Sequence, residues 1–329
     1  MTACESGISR RRAGRGFSYR DPAGETITDP RVLDRIRRLA VPPAWRDVWI
    51  SPQPGAPLQA IGIDARGRKQ YRYQERFRAA QEALKFGRLA RFGQALPRLR
   101  GRVRRDLVAM GLPRDRVLAA LVRILDLTAL RVGGESYARD NGSYGLTTLR
   151  RRHVRVHGSK VELAFRGKGQ KAVRVVVDDA AVATVVRRCR RAGARHVFVW
   201  RGSDGSWRTV TDAHVNHYIR LAAGSRHSAK DFRTWAATVA AARALRHAGA
   251  AAWSASPATR KHLLVAAVAV AAHEIGDTPA VTRRSYVHPR VLDALAAGRP
   301  PRVRPPKRSG QRADEALALA LLRRRSPNA

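Results

Sequence analysis

Two hydrophobic periodicities divide the chain. Short apolar runs, interrupted by prolines and glycines, predict strands near residues 45–50, 58–63 and 70–73. A helical pattern over residues 75–92 leads into the second region. Beyond residue 94 the apolar positions recur mostly at helical spacing, and they predict helices over 113–127, 134–139, 179–192, 211–222, 228–247, 257–275 and 289–297. The pattern therefore predicts a small β-rich region followed by a mainly helical one.

One stretch of the helical region changes to a period of two. Residues 153–156, 161–165 and 172–177 alternate apolar and polar side chains, and the glycines at 158, 167 and 169 mark the two turns between them. This pattern predicts a three-stranded antiparallel sheet. The fold class is therefore α+β: a small β-rich N-terminal domain and a mainly α-helical domain that contains this sheet.

The length of 329 residues is typical of two domains, at about 150 residues each. We expect a disordered basic tail, a β-rich N-terminal domain, a mainly helical domain, and a Pro/Arg-rich linker with a final helix near 313–324. These four segments cover residues 1–16, 17–90, 91–298 and 299–329.

The charge of the chain indicates a polyanionic partner. Lys and Arg number 65 against 25 Asp and Glu, a formal net charge of +40. Eight of the 65 are lysines, so planar guanidiniums suited to phosphate dominate. A hydrophobic fraction of 44% excludes a disordered basic protein. If both domains contact one polyanion, they would close around it.

Several classes of protein do not fit the composition. Cys4 and Cys189 make neither a disulfide framework nor a zinc site, which favours a reducing compartment. The apolar run at 263–272 is too short to span a bilayer, and no hydrophobic signal core follows Arg10–Arg12. The ten histidines lack metal-ligand spacing, and there is no P-loop. We expect a cytoplasmic protein without membrane, metal, nucleotide or other cofactor.

Four short sequence motifs contain the candidate catalytic residues, and together they resemble a known family. They are Arg131-Val-Gly133, Arg166-Gly-Lys168-Gly, Lys230-Asp-Phe-Arg233-Thr-Trp235 and Arg284-Ser-Tyr286-Val-His-Pro289. In this order they resemble the catalytic domain of type IB DNA topoisomerases, in the poxvirus-like form found in bacteria. Segments 41–49 and 67–73 resemble that family's small domain, so the resemblance covers about residues 30–298.

The residue types suit cleavage of a DNA strand without hydrolysis. A tyrosine phenol can retain the phosphate as an ester and later be displaced. The departing deoxyribose hydroxyl needs a proton, and guanidiniums stabilise charge on the phosphate oxygens. The resemblance implies that Tyr286 forms a 3′-phosphotyrosine, that Arg131 and Arg233 hold the scissile phosphate, and that Lys168 protonates the 5′-oxygen. Outside such strings, a lone tyrosine is more often structural and a turn lysine more often solvated.

The resemblance also implies activity and partners. We expect relaxation of positive and negative supercoils without ATP or metal, by a monomer that binds duplex DNA in the nucleoid. In the N-terminal domain Gln70, Tyr71 and Tyr73 match the DNA-contacting stretch of the family, and Lys230 matches a DNA-binding position. The alternation of a strand would place Tyr71 and Tyr73 on one face, where they either contact DNA or pack as an aromatic pair.

One position departs from the family pattern. Nine residues before the nucleophile the family usually has histidine or asparagine, which donates a hydrogen bond to the phosphate, and this chain has Asp277. An ionised carboxylate donates nothing and repels phosphate. Two hypotheses follow: Asp277 is protonated beside DNA, or it turns away from the site.

Two other functions remain open from the sequence. Tyrosine recombinases share the catalytic domain, but they usually have histidine at the positions of Lys230 and Thr234. A non-enzymatic DNA-compacting protein would need the charge but would have no use for Tyr286 or Lys168.

Overall fold

The computed structural model describes residues 6–224, 226–299 and 311–323, with the side chains of 311 and 312 left aside. Two compact units make up the chain, Met1–Lys85 and Phe86–Ala329. The division falls a few residues before the expected boundary at residue 90.

The N-terminal unit is built on an antiparallel sheet. Its five strands are β1 Ile8–Ala13, β2 Gly16–Arg20, β3 Arg46–Ile50, β4 Leu58–Ile63 and β5 Lys69–Tyr73, and they lie in the order β2-β1-β3-β4-β5. The unit also contains helix α1 Pro30–Arg38 and the beginning of helix α2 Glu75–Gly87. Ile36 of α1 packs with Ile8, Val48, Ile50 and Ala60, and all five side chains are buried. The strand residues reach this core because the strands alternate apolar and polar faces.

The prediction of a disordered tail over residues 1–16 is wrong for the part that is described. Residues 8–13 form β1, which pairs with β2 on one side and β3 on the other. The contacts of Arg10 show how a run of arginines can be ordered. Its guanidinium lies 4.1 Å from the ring centroid of Phe17 and donates to the carbonyl oxygen of Trp45 at 2.6 Å. Residues 1–5 lie outside the described residues.

The C-terminal unit is mainly helical. Its core contains Phe92, Leu121, Ile124, Phe198 and Tyr218, all fully buried. Its elements are α3 Leu89–Leu107, α4 Arg114–Thr128, α5 Glu135–Asn141, β6 Val154–His157, β7 Lys160–Arg166, β8 Ala172–Asp178, α6 Ala180–Arg191, β9 Val199–Arg201, β10 Trp207–Thr209, α7 Asp212–Ala223, α8 Ala229–His247, α9 Ala251–Ser254, α10 Pro257–Ile275, α11 Pro279–Ser285, α12 Pro289–Ala296 and α13 Gln311–Arg323.

The predicted three-stranded sheet is confirmed. Strands β6, β7 and β8 form an antiparallel meander in that order. On β7 the side chains of Val161, Leu163 and Phe165 are buried and those between them are exposed. The chain thus has the predicted α+β architecture, and the β7–β8 turn carries the Gly-x-Gly segment to an exposed tip.

Three helix starts follow from local sequence. The N–H of Ser228 donates to Asp231 at 2.8 Å, at the start of α8. Thr278 accepts from the N–H of Val281 ahead of α11, which begins with Pro279. His288 accepts from the N–H of Arg290 at 3.1 Å and caps α12. Two of these helices, α8 and α11, carry or precede the residues singled out above.

The final helix is a packed part of the C-terminal unit. α13 contacts α3, α8 and α12. Its Glu315 lies 2.7 Å from Arg100 of α3, and its Asp314 lies 2.7 Å from Arg246 of α8. The predicted linker covers residues 299–312, and residues 300–310 of it lie outside the described residues.

Within the described ranges no single helix is long and apolar enough to cross a membrane. α10 and α11 reach that length and apolarity only together, and they are bent by 94° at their break.

Candidate active site

Four segments far apart in sequence bring Arg131, Arg233, Asp277 and Tyr286 together. Arg131 lies in the loop after α4, Arg233 in the second turn of α8, Asp277 in the turn between α10 and α11, and Tyr286 directly after α11. Contacts among their side chains join all four. The cluster therefore depends on the packing of the helices that carry them.

The loop that carries Arg131 is held by close backbone packing. Ala129 ends α4 in the left-handed region at φ 50°, and Gly133 has φ 94°. A Cβ on Gly145 would lie 2.5 Å from the Cα of Gly133 and 2.8 Å from the carbonyl oxygen of Arg131, so only glycine fits there. The N–H of Leu146 donates to that same Arg131 oxygen at 3.1 Å.

Arg233 is a buried cation that links α8 to the Arg131 loop. The residue is 5% exposed, and its Nη1 donates to the carbonyl oxygen of Ala129 at 2.7 Å. Its guanidinium carbon lies 5.2 Å from the ring centroid of Tyr286. Burial and the nearby charge of Arg131 lower the pKa of Arg233 from its ordinary value. Arg233 therefore contacts both the loop of Arg131, through the carbonyl oxygen of Ala129, and the ring of Tyr286.

The carboxylate of Asp277 faces both arginines. Its Oδ2 lies 2.7 Å from Nη2 of Arg131 and 3.4 Å from Nη2 of Arg233. In this structure the carboxylate of Asp277 is therefore turned toward the two arginines. An acid between two guanidiniums partly neutralises them, which leaves the cluster with a net positive charge.

Tyr286 lies half-buried where α11 ends. Burial alone would raise its pKa, but the positive charges of Arg233 and Arg131 outweigh burial and lower the pKa below its ordinary value. The charge of Asp277 acts in the opposite direction. A phenol in this environment loses its proton more readily than a tyrosine in water.

Neither lysine of the predicted site joins the cluster by a direct contact. Lys168 is exposed at the tip between β7 and β8. Lys230 is exposed in the first turn of α8, one helical turn before Arg233. In the part of the chain that is described, no hydrogen bond or ion pair joins either ammonium to Arg131, Arg233 or Tyr286.

The N-terminal unit presents an aromatic pair on its edge strand β5. Tyr71 and Tyr73 are 47% and 45% exposed, and their rings stack with centroids 6.2 Å apart. Their placement on one face is confirmed. Gln70 points to the other face, where its Nε2 donates to Asp64 at 2.9 Å. Of the three predicted DNA contacts in this unit, the two tyrosines share an exposed surface and Gln70 does not.

The sequence interpretation missed Thr238, which fixes the backbone behind the tyrosine. This buried hydroxyl on α8 accepts from the N–H of His288 at 3.1 Å and donates to the carbonyl oxygen of Thr234 at 2.7 Å. The carbonyl oxygen of Tyr286 lies 3.2 Å away. A threonine in an Ala/Val-rich helix carries no signal of a partner that lies fifty residues ahead.

Among the described residues, no three His, Cys, Asp or Glu side chains are grouped so that they could hold a metal ion.

Comparisons with known proteins identify the class. Residues 74–298 match the family model described as eukaryotic DNA topoisomerase I, catalytic core, and residues 16–64 match bacterial DNA topoisomerase IB, N-terminal domain. The fold and the site therefore belong to a DNA topoisomerase, an enzyme that binds duplex DNA. DNA topoisomerase 1B of Acanthamoeba polyphaga mimivirus is 33% identical over 285 residues, 85% of each chain. The chain belongs to the type IB DNA topoisomerase family.

Solved structures give a weaker likeness. The XerH site-specific recombinase bound to palindromic difH, in a post-cleavage complex, matches with a TM-score of 0.36 and 16% identity, over 61% of this chain and 50% of that one. The pre-cleavage complex of XerH with difH matches with a TM-score of 0.29 and 16% identity, over 43% and 41% of the two chains.

Proposed function

We propose that this topoisomerase relaxes positive and negative supercoils of nucleoid DNA as a monomer, without ATP or metal, through a transient 3′-phosphotyrosine. The observation that carries the proposal is the contact of one buried arginine, Arg233, with both the Tyr286 ring and the loop of Arg131. Two cations beside a phenol of lowered pKa form a site for a phosphodiester and its nucleophile.

In the cleavage step the Tyr286 oxygen attacks the phosphorus and the bond from phosphorus to the 5′-oxygen breaks. The phenol releases its proton to solvent, and the departing 5′-oxygen takes one from the Lys168 ammonium, which regains it from solvent. Religation is the reverse, so the phosphodiester bond energy is conserved. While the strand is open, its 5′ end rotates and releases supercoil tension. No external energy source is required.

The two arginines stabilise charge that develops on the non-bridging phosphate oxygens. Donors fixed in a water-poor site do this without reorganising, and one such donor typically contributes about 3 kcal/mol to the transition state. Arg233 suits this role because burial and its bond to Ala129 fix its position. Arg131 is more open, with 32% of its side chain exposed, and it would reach the phosphate from the solvent side.

Binding to the duplex involves the net positive charge of the whole chain and the exposed face of β5 that carries Tyr71 and Tyr73. The net charge of +40 favours duplex binding that weakens steeply with salt. Tyr71 and Tyr73 present aromatic faces and hydroxyls to a backbone or groove. Lys230, exposed one turn before Arg233, is placed to bind a neighbouring phosphate.

The test is relaxation of negatively and positively supercoiled plasmid in EDTA without ATP. The wild type is compared with Tyr286→Phe and with Tyr137→Phe, a matched control at a tyrosine that is 66% exposed. We expect relaxation by the wild type and the control and none by Tyr286→Phe. Denaturant trapping with end-labelled strands should give a protein linked to the 3′ end of the cut. Relaxation by Tyr286→Phe at the wild-type rate would contradict the proposal.

A further inference from the structure

Asp277 is held in place from two sides. It follows Gly276, which ends α10 in the left-handed region at φ 63°, and its N–H donates to the carbonyl oxygen of Ala272 at 3.0 Å. Its Oδ1 accepts from the N–H of Thr278 at 3.1 Å. Only 13% of the side chain is exposed. The carboxylate is therefore part of a built site and not a mobile surface acid.

The other oxygen, Oδ2, receives the Nη2 groups of Arg131 and Arg233 together. One acceptor oxygen shared by two guanidiniums is the arrangement that a non-bridging phosphate oxygen would require in this site. Carboxylate and phosphate oxygens are both acceptors that guanidiniums bind by charge-assisted hydrogen bonds. Both anions cannot occupy the same two Nη2 groups at once.

We propose that Asp277 is an internal counter-anion that occupies the phosphate site formed by Arg131 and Arg233 and that the DNA phosphate must displace. The identity of the displaced anion rests on the proposed function; the competition itself does not. The charged and titratable groups that face Asp277 are Arg131, Arg233 and Tyr286.

The consequence is selectivity between free and duplex-bound phosphate. A free anion must compete with a carboxylate tethered beside the two cations, whose effective concentration is high. A phosphate within a duplex gains from the many other contacts of a strongly basic protein, so it is itself delivered at high effective concentration. Asp277 thus acts as a specificity residue, since it weakens the binding of free anions more than the binding of phosphates that belong to duplex DNA.

Inorganic phosphate is the probe, and no DNA is needed. Asp277→Asn removes the competing charge, and Glu274→Gln is the matched control. Glu274 lies one turn earlier on α10, has 43% of its side chain exposed, and pairs with Arg243 outside the cluster. The readout is ionisation of the Tyr286 phenol by ultraviolet absorbance, taken as the difference between each protein and the same protein with Tyr286→Phe.

Bound phosphate should raise the pKa of Tyr286, and its concentration dependence gives the affinity. We expect Asp277→Asn to bind phosphate about tenfold more tightly than the wild type, since one like charge at ion-pair distance has been removed. Glu274→Gln should match the wild type. In phosphate-free buffer Asp277→Asn should lower the Tyr286 pKa, because the Asp277 charge raises it.

Phosphate affinity that is unchanged or weaker in Asp277→Asn overturns the inference and makes Asp277 a scaffold for the arginines. Asp277→Ala, which cannot form an amide contact, should show the same tightening, and it decides the matter if the Asn variant is unfolded by circular dichroism. If Asp277→Asn does not tighten phosphate binding but plasmid relaxation still depends on Tyr286, the inference is wrong and the proposed function is retained. If Asp277→Asn does tighten phosphate binding but the protein relaxes DNA without Tyr286, the proposed function is wrong and the inference is retained.

Discussion

The main-chain N–H of His288 donates to the buried hydroxyl of Thr238 at 3.1 Å, fifty residues away along the chain. Thr238 lies on α8, one helical turn and one residue beyond Arg233, and His288 lies two residues beyond Tyr286. The bond therefore ties the segment that follows Tyr286 to the helix that carries the buried Arg233.

Thr238→Val keeps the shape of the side chain but removes the hydroxyl that accepts from the N–H of His288. We expect a loss of roughly 1–3 kcal/mol in the free energy of unfolding, the cost of removing one partner of a buried hydrogen bond. The relaxation rate should fall as well. Urea denaturation measures the first effect. Thr184→Val is the control, because the Thr184 hydroxyl bonds to its own helix at an exposed site. Equal losses in the two variants would refute the role of Thr238.

The phenol of Tyr286 should titrate below an ordinary tyrosine. Arg233→Gln removes the cation that lowers its pKa, so the pKa should rise. Difference absorbance against Tyr286→Phe follows the titration. Arg243→Gln, an arginine of α8 that pairs with Glu274, should leave it unchanged. No upward shift in Arg233→Gln would show that Arg233 does not act on the phenol.

The lowered pKa of Tyr286 can also be tested through the pH dependence of the stability of the wild type. A phenol whose pKa is lower in the folded than in the unfolded state stabilises the fold only as the pH rises through the folded pKa toward about 10, the unfolded value. Below that window the contribution is absent. The free energy of unfolding of the wild type relative to Tyr286→Phe should therefore increase with pH across it. A flat difference would contradict the lowered pKa.

Gly145→Ala should displace the Arg131 loop. The new Cβ would meet backbone atoms of Gly133 and Arg131 at 2.5–2.8 Å, and backbone cannot yield as a side chain can. We expect the relaxation rate to fall about 100-fold, as misplacement of a catalytic group by about 1 Å does. Gly101→Ala within α3 meets nothing closer than 3.9 Å and should instead stabilise by roughly 0.5–1 kcal/mol. Normal relaxation by Gly145→Ala would mean that the loop can adjust.

The aromatic and cationic contacts that we propose between β5 and DNA can be tested separately. Lys69, Tyr71 and Tyr73 share the exposed face of the strand. Tyr71→Ala should weaken duplex binding without changing its dependence on salt, because no counterion is involved. Lys69→Ala should reduce the slope of log affinity against log salt by about 1. Fluorescence anisotropy at several salt concentrations measures both. A change of slope in Tyr71→Ala would argue against an uncharged contact.

The last helix should contribute to stability through Glu315. Its carboxylate is 12% exposed and accepts from Arg100, which is 19% exposed, so Glu315→Ala should cost roughly 1–3 kcal/mol. Asp140→Ala breaks the exposed pair with Arg139 and should have no measurable effect. Thermal denaturation compares the two. An unchanged midpoint for Glu315→Ala would show that the Glu315–Arg100 pair contributes nothing measurable to the stability of the fold.

Local patterns predicted much of the secondary structure. The alternation of Val161, Leu163 and Phe165 identified a strand, because it depends on neighbours within one element. Residues 8–13 were mistaken for disorder. Their arginines look solvated in sequence, and only pairing with β2 and β3 makes them a strand.

The sequence by itself predicted which residues carry the chemistry, since Arg131, Lys168, Arg233 and Tyr286 stand in short motifs typical of one family. It also determined the polyanionic partner, through a charge of +40. The tertiary structure decided what Asp277 faces, because its position depends on how the end of α10 packs against the Arg131 loop and α8. Ion pairs between distant segments depend on packing that no local pattern encodes. The one acid of the cluster, for which the sequence left two hypotheses open, is in this structure the partner of both arginines.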